Sequence, residues 1–204
     1  MKKTILLLGV SLFALMAVNA QLKHRFIITP GLNIAMTDVS PVGDGSDLKS
    51  KIGFDGGVGA EFSFGKYFSI QPEVNFSMQG VKGEGNGSET TINLNYITVP
   101  VFAKVKPVPG FSILAGPQIG FLTSANVKND NQPEQDLKEV LKSTDVFGVF
   151  GLEYQFPVGV FIGVRYQLGF TDIVDEIPGT EVKNRSLTFR VGYSFPFGGA
   201  AKKK

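Results

Sequence analysis

Five charged residues, Glu61, Glu73, Glu153, Arg165 and Arg190, have the types and spacing that invite a chemical reading. Each stands at a polar position in a stretch that otherwise alternates polar and apolar residues. A period of two places all side chains of one parity on one face of a strand. Glu61 and Glu153 lie four residues before the turn signals Gly65 and Pro157, and Glu73 and Arg165 lie about as far after such turns. Arg190 sits a comparable distance from Phe197, where the last alternating stretch ends. All five heads are therefore expected at one height on one face. Carboxylates and guanidinium groups so placed can form a buried ion-pair network or a path for protons or ions. Three acids nearly balance two bases, and a buried charge without a partner costs several kcal/mol. We expect a network, with Glu153 and Arg165 paired across adjacent strands, and its role to be a structural plug.

Other chemistry has little to stand on. The chain has no Cys, which excludes disulfides and thiolate metal sites. Its one His, His24, precedes the first alternating stretch and is far in sequence from Ser124, Ser143 and Asp172. No Gly-x-Ser-x-Gly, phosphate loop or His-rich metal spacing occurs, so no catalytic residue and no cofactor is expected. Asp44, Asp47, Asp130, Glu134, Asp175 and Glu176 are acidic but lack the fixed spacing of a calcium loop, and read as solvated loop charge.

The elements that must position the five charges are strands. From Lys51 to Gln79 the even positions read Ile52, Phe54, Gly56, Val58, Ala60, Phe62, Phe64, then Phe68, Ile70, Pro72, Val74, Phe76 and Met78. The odd positions read Lys51, Gly53, Asp55, Gly57, Gly59, Glu61, Ser63, then Ser69, Gln71, Glu73, Asn75, Ser77 and Gln79. A two-residue turn at Gly65-Lys66 joins the halves. Similar stretches predict strands over 25–36, 51–64, 67–79, 91–105, 111–123, 145–156, 160–171 and 185–197. Both faces of the fourth are apolar around Ile97 to Phe102. Eight is an even number, as a single-chain bacterial barrel requires. Long polar connections at 37–50, 80–90, 124–144 and 172–184 alternate with short ones at 65–66, 106–110 and 157–159. In the third long connection, Pro133 to Lys142 is expected to form a helical turn or two.

Strands of this length suffice to cross a bilayer, which takes roughly 9–11 tilted residues. The expected fold is all-β: an eight-stranded antiparallel up-and-down transmembrane barrel with short periplasmic turns and long outer loops. A soluble lipocalin-like barrel shares the topology but turns its apolar side inward. The polar face decides between them. It is rich in glycine (Gly53, Gly57, Gly59, Gly151, Gly163, Gly169, Gly192) and poor in Lys. Glycine weakens an exposed strand, but inside a narrow barrel it makes room for large polar neighbours. Phe62, Phe64, Phe68, Tyr154, Phe156, Tyr193, Phe195 and Phe197 gather at the predicted periplasmic ends, as an interfacial girdle would. Pro30, Pro72, Pro100 and Pro117 fall inside strands, where each removes a ladder bond; bulges are the expected accommodation.

The ends give the address. Lys2 and Lys3, the apolar run to Val18 and the small-residue site Val18-Asn19-Ala20 read as a secretory signal over residues 1–20. Removing those 20 of 204 residues leaves 184, with 18 basic residues against 18 acidic, and no reason to expect nucleic acid as a partner. After Phe197 the chain continues as a basic tail, 198–204.

Three stretches carry a resemblance. Asn95-Tyr96-Ile97-Thr98-Val99-Pro100-Val101-Phe102-Ala103-Lys104-Val105, Ala115-Gly116-Pro117-Gln118-Ile119-Gly120 and Gly163-Val164-Arg165-Tyr166 through Asp172-Ile173 are similar to successive strands of the PorT-like outer-membrane barrel family. The resemblance covers Gln21 to Phe197. It implies residence in the outer membrane of a diderm bacterium, with outer-membrane lipid and possible envelope or secretion-complex proteins as partners. It does not imply one activity. The leading expectation is a non-enzymatic barrel whose outer loops or periplasmic rim contact other molecules, with an accessory subunit of a secretion complex as the alternative.

Overall fold

A computed structural model describes residues 24–40, 47–85, 88–129, 132–174 and 181–197. The signal and the basic tail lie outside them, as do Asp44, Asp130, Asp175 and Glu176. The strands are β1 (His24–Ser40), β2 (Asp47–Phe64), β3 (Phe68–Gly85), β4 (Ser88–Val108), β5 (Phe111–Asn129), β6 (Gln132–Asp136), β7 (Thr144–Gln155), β8 (Val160–Gly169) and β9 (Glu181–Phe197). Sequential neighbours pair antiparallel, β9 returns to β1, and β4 pairs with β5. With β5 joined directly to β7, eight strands close a ring and β6 stands outside it. Closure is what lets strands live in lipid, because no edge is left with unpaired backbone groups.

The alternation sorts the faces. Ile52 is 71% exposed, while Asp55 is fully buried on the other face. Phe54, Val74, Phe150, Leu152 and Phe189 likewise point out, and Glu61, Glu73, Glu153, Arg165 and Arg190 point in. A greasy wall around a charged interior excludes the soluble alternative. The mixed fourth strand also resolves: Tyr96, Thr98, Phe102 and Lys104 are buried in the lumen, while Val101 and Val105 face out.

Three expectations about the connections are corrected. The β2–β3 turn has three residues, Gly65 to Tyr67, because Phe64 registers with Phe68. Its Gly65 takes φ 74°, a left-handed value that favours glycine. Much of each long connection is strand: β4 runs for 21 residues and β5 for 19, far beyond what a bilayer needs. The anticipated helix at Pro133 to Lys142 begins instead as β6, folded back on the outer end of β5 (Asn126 opposite Asp136). Leu137 and Leu141, chosen for helical spacing, still share one contact surface. They join Ile92, Val174 and Val182 over a buried cluster of Leu94, Tyr96, Leu122, Ala125 and Ile173. Backbone bonds hold this cap: Leu137 N–H to Ala125 O at 2.8 Å and Lys142 N–H to Ile173 O at 3.0 Å. Asp172 accepts the backbone N–H of Val182 at 2.9 Å, a bond that holds its carboxyl below the usual carboxylate range.

The prolines are accommodated without bulges. At each one, pairing continues to one neighbouring strand and lapses over two residue pairs to the other, with unchanged register on either side. Pro30 interrupts β1–β9, Pro72 β2–β3, Pro100 β3–β4 and Pro117 β4–β5. The irregularities lie elsewhere, between Ser50 and Asp55 in β2–β3 and at Asn95/Tyr96 and Val105/Val108 in β4–β5. A closed ring tolerates a missing donor because both flanks hold the register.

Candidate functional site: an alternating chain of charges across the lumen

In-register glycines create the space for the charges. Gly59 registers with Glu73, Gly151 with Arg165, Gly163 with Glu153 and Gly31 with Arg190. A Cβ at Gly59 would meet Glu73 Cγ at 2.7 Å, one at Gly151 would meet Arg165 Cγ at 2.8 Å, and one at Gly163 would meet Glu153 Cγ at 2.8 Å. The stem of each large side chain thus lies across a neighbouring strand where no side chain stands. This is why the polar face reads as glycine interspersed with charge.

The charges form one alternating series: Lys106, Glu61, Lys104, Glu153, Arg165, Glu73, Arg190, Asp55. Lys106 meets Glu61; Glu61 meets Lys104 at 3.1 Å, and Lys104 meets Glu153 at 2.9 Å. Glu153 lies 3.6 Å from Arg165, which grips Glu73 in a two-pronged contact at 2.7 and 2.8 Å. Glu73 also lies 3.2 Å from Arg190, which ends the series on Asp55. Four acids meet four bases, so the chain of charges is neutral. Seven of the eight are buried, and Lys106 at the short-turn end is half-buried. Gln71 bridges the middle, accepting from Lys104 at 3.0 Å and donating to Glu73 at 2.7 Å. Asn75 donates to Glu73 at 3.0 Å, and Thr29 accepts from Arg190 at 2.9 Å. The Arg165 guanidinium lies 4.6 Å from the Phe102 ring centre, so its face is covered as well as its edge.

All five residues singled out from sequence enter this series, but not as first paired. Arg165 takes Glu73 from across the lumen as its principal partner, and its contact with Glu153 on the adjacent strand is the longest in the series. Lys104, Lys106 and Asp55 were missed. Asp55 stood on the inward parity of β2, and Lys104 stood near the end of the quoted Asn95–Val105 stretch, so both were within reach of the alternation. Partnership across a lumen has no sequence signal, because it depends on strand tilt and ring closure.

Phe102 and Leu114 pack at the level of the charges, in one buried apolar cluster with Phe147 and Val149, and the cap over Leu94, Tyr96 and Leu122 lies toward the long-loop end. His24 faces outward at the short-turn end, 5.3 Å from the Phe62 ring and 5.9 Å from Phe197. It touches none of the charged series. Among the described residues, no group of three or more His, Asp or Glu could hold a metal ion.

Residues 19–175 match the family model described as outer membrane protein beta-barrel domain. The chain belongs to that family. Its fold is that of solved outer-membrane barrels. Against the Neisserial surface protein NspA the TM-score is 0.55, with 14% identity over 83% of this chain and 97% of that one. Against Ail, the attachment invasion locus protein of Yersinia pestis, solved with the heparin analogue sucrose octasulfate, the TM-score is 0.52. That match has 15% identity over 85% of this chain and 99% of that one. No curated protein sequence matches. The apolar outer wall is therefore the lipid-facing surface of an outer-membrane barrel, and the Tyr154–Phe156 and Tyr193–Phe195 ring pairs, centred 5.0 and 4.6 Å apart, lie at its short-turn end.

Proposed function

We propose that this outer-membrane barrel is a non-enzymatic, non-conducting scaffold, delivered by its N-terminal signal, that acts through its two ends. The observation that carries the reading is the occupied lumen: a neutral series of eight charges, an apolar cluster packed against it, and a loop cap at the long-loop end. An eight-stranded interior is just wide enough for side chains to fill it. Breaching this one would strand buried charges, which costs several kcal/mol per ion. Recognition then falls to the outer loops and the periplasmic rim, where a rigid barrel presents variable segments.

The PorT-like resemblance favours a particular version, an accessory subunit of a secretion or envelope complex. Its quoted strand contributes Phe102 and Lys104 to the lumen packing, so that part of the resemblance tracks how the barrel is built. Affinity capture from solubilised envelopes tests this version, which expects a stable complex and fails if the barrel is recovered alone. The scaffold reading is tested in planar bilayers. Purified protein should give no stepwise currents, and a cap variant, Leu137→Asn with Leu141→Asn, should also stay silent because the charges below remain. Stable open-channel steps from the unmodified protein would overturn it.

A further inference from the structure

We propose that the short-turn mouth, the periplasmic end in barrels of this kind, is a binding site for an acidic polypeptide segment. This deepens the reading that the barrel acts through its ends. A cavity of about 650 Å³ opens there, lined by Arg25, Lys66 and Lys106 and by no carboxylate. Its volume lies in the ordinary range for ligand sites.

Two of the three cations in this cavity, Arg25 and Lys66, are not spent inside the barrel. Lys106 is committed to Glu61, and the internal series is already neutral with four acids and four bases. Among the described residues no carboxylate pairs with Arg25 or Lys66. Arg25 has the parity of Ile27 and Thr29, both buried in the lumen, so it belongs to the inner side of the rim. Its side chain makes one long contact, Nη1 to Ser194 Oγ at 3.4 Å, which leaves most of its planar fork of donors open to an oxyanion. Lys66 stands over the Tyr67 ring at 4.8 Å, at the edge of the same cavity.

The walls distinguish a peptide from a bare anion. Pro107, Val108, Pro109 and Tyr67 supply apolar surface beside the cations, while Ser63, Ser112 and Gln155 supply hydrogen-bonding groups. An inorganic ion has no use for the apolar part, whereas an extended acidic segment uses both. The rim is also preformed: Lys106 N–H donates to Tyr67 O at 2.8 Å and Gln155 N–H to Gly110 O at 2.7 Å. Fixing the turns in advance lowers the ordering cost of binding.

The test uses the full mature barrel in detergent and a short fluorescent Asp/Glu-rich peptide, with its Asn/Gln counterpart as control. Anisotropy should report binding of the acidic peptide alone, weakening as salt shortens the Debye length below about 10 Å. Arg25→Gln with Lys66→Gln should weaken it at least about tenfold while the unboiled barrel still migrates as folded. Lys138→Gln, at the opposite end, should bind as before. The proposal fails if the acidic peptide does not bind, if Lys138→Gln loses as much as the double variant, or if equimolar inorganic phosphate displaces the peptide. Bilayer currents leave this assay untouched, so the scaffold reading and the rim site fail separately.

Discussion

Glu73→Ala is expected to be the most damaging single truncation in the barrel, destabilising it by about 3–5 kcal/mol. Glu73 is the only acid in the series that holds two arginines, Arg165 through both oxygens and Arg190 at 3.2 Å. Its removal leaves Arg165 with Glu153 at 3.6 Å, leaves Gln71 and Asn75 without their acceptor, and gives a buried layer a net positive charge. Urea unfolding in detergent, read by loss of the unboiled band, measures the cost. Glu61→Ala is the comparison. Glu61 lies next to the end of the series, where Lys104 keeps Glu153 and the terminal Lys106 side chain is 23% exposed and reaches water. The Glu61 variant should therefore lose clearly less. Combining Glu73→Ala with Arg165→Met should cost less than the sum of the two, because the second change removes a charge that the first left stranded. Equal losses at Glu61 and Glu73 would show that the series does not act as a connected chain.

Gly116→Ala is expected to cost at the upper end of the roughly 1–3 kcal/mol typical of overpacking. A Cβ there would lie 2.0 Å from Val101 O, a backbone atom that cannot move without shifting β4. The position follows from the neighbouring proline. Pro117 has no N–H, the β4–β5 pairing lapses over Val101 and Phe102, and the Val101 carbonyl rests against the Gly116 α-carbon instead. The Gly116-Pro117 pair is thus one device: proline removes a donor and glycine lets the orphaned carbonyl come close. Gly83→Ala is the control. Its nearest atom would be Thr90 O at 4.0 Å, so the same chemical change should fall within about 0.5 kcal/mol of neutral. A Gly116→Ala barrel as stable as the Gly83→Ala one would mean that the strands relax freely around the lapse.

Some of this was legible before any coordinates. Ile52, Phe54 and Val74 on one parity and Asp55, Glu61 and Glu73 on the other sort the residues onto two opposed faces, because a strand offers only two directions. The glycines among the charges betrayed a crowded interior, since a water-exposed strand gains nothing from Gly59 or Gly163. The outer connections were read poorly. Polar composition resembles a loop, but β4 and β5 stay paired well past the membrane, and backbone pairing is indifferent to whether Asn93 or Lys128 is polar. Proline accommodation was misread for a related reason. A sequence shows that a donor is missing, but not that a ring held on both flanks can leave the register intact.

The sequence by itself determined the eight strands of the ring, the inward and outward faces and five of the eight charges in the luminal series, because all of these follow from a period of two and the chemistry of side chains. Only the tertiary structure decided that Arg165 reaches Glu73 from across the barrel, that Lys104 and Asp55 complete the balance, and that Arg25 and Lys66 remain uncompensated at the rim. Those outcomes depend on distances across a closed ring, and distances between residues 92 or 135 positions apart are set by strand tilt and closure, which no local pattern encodes.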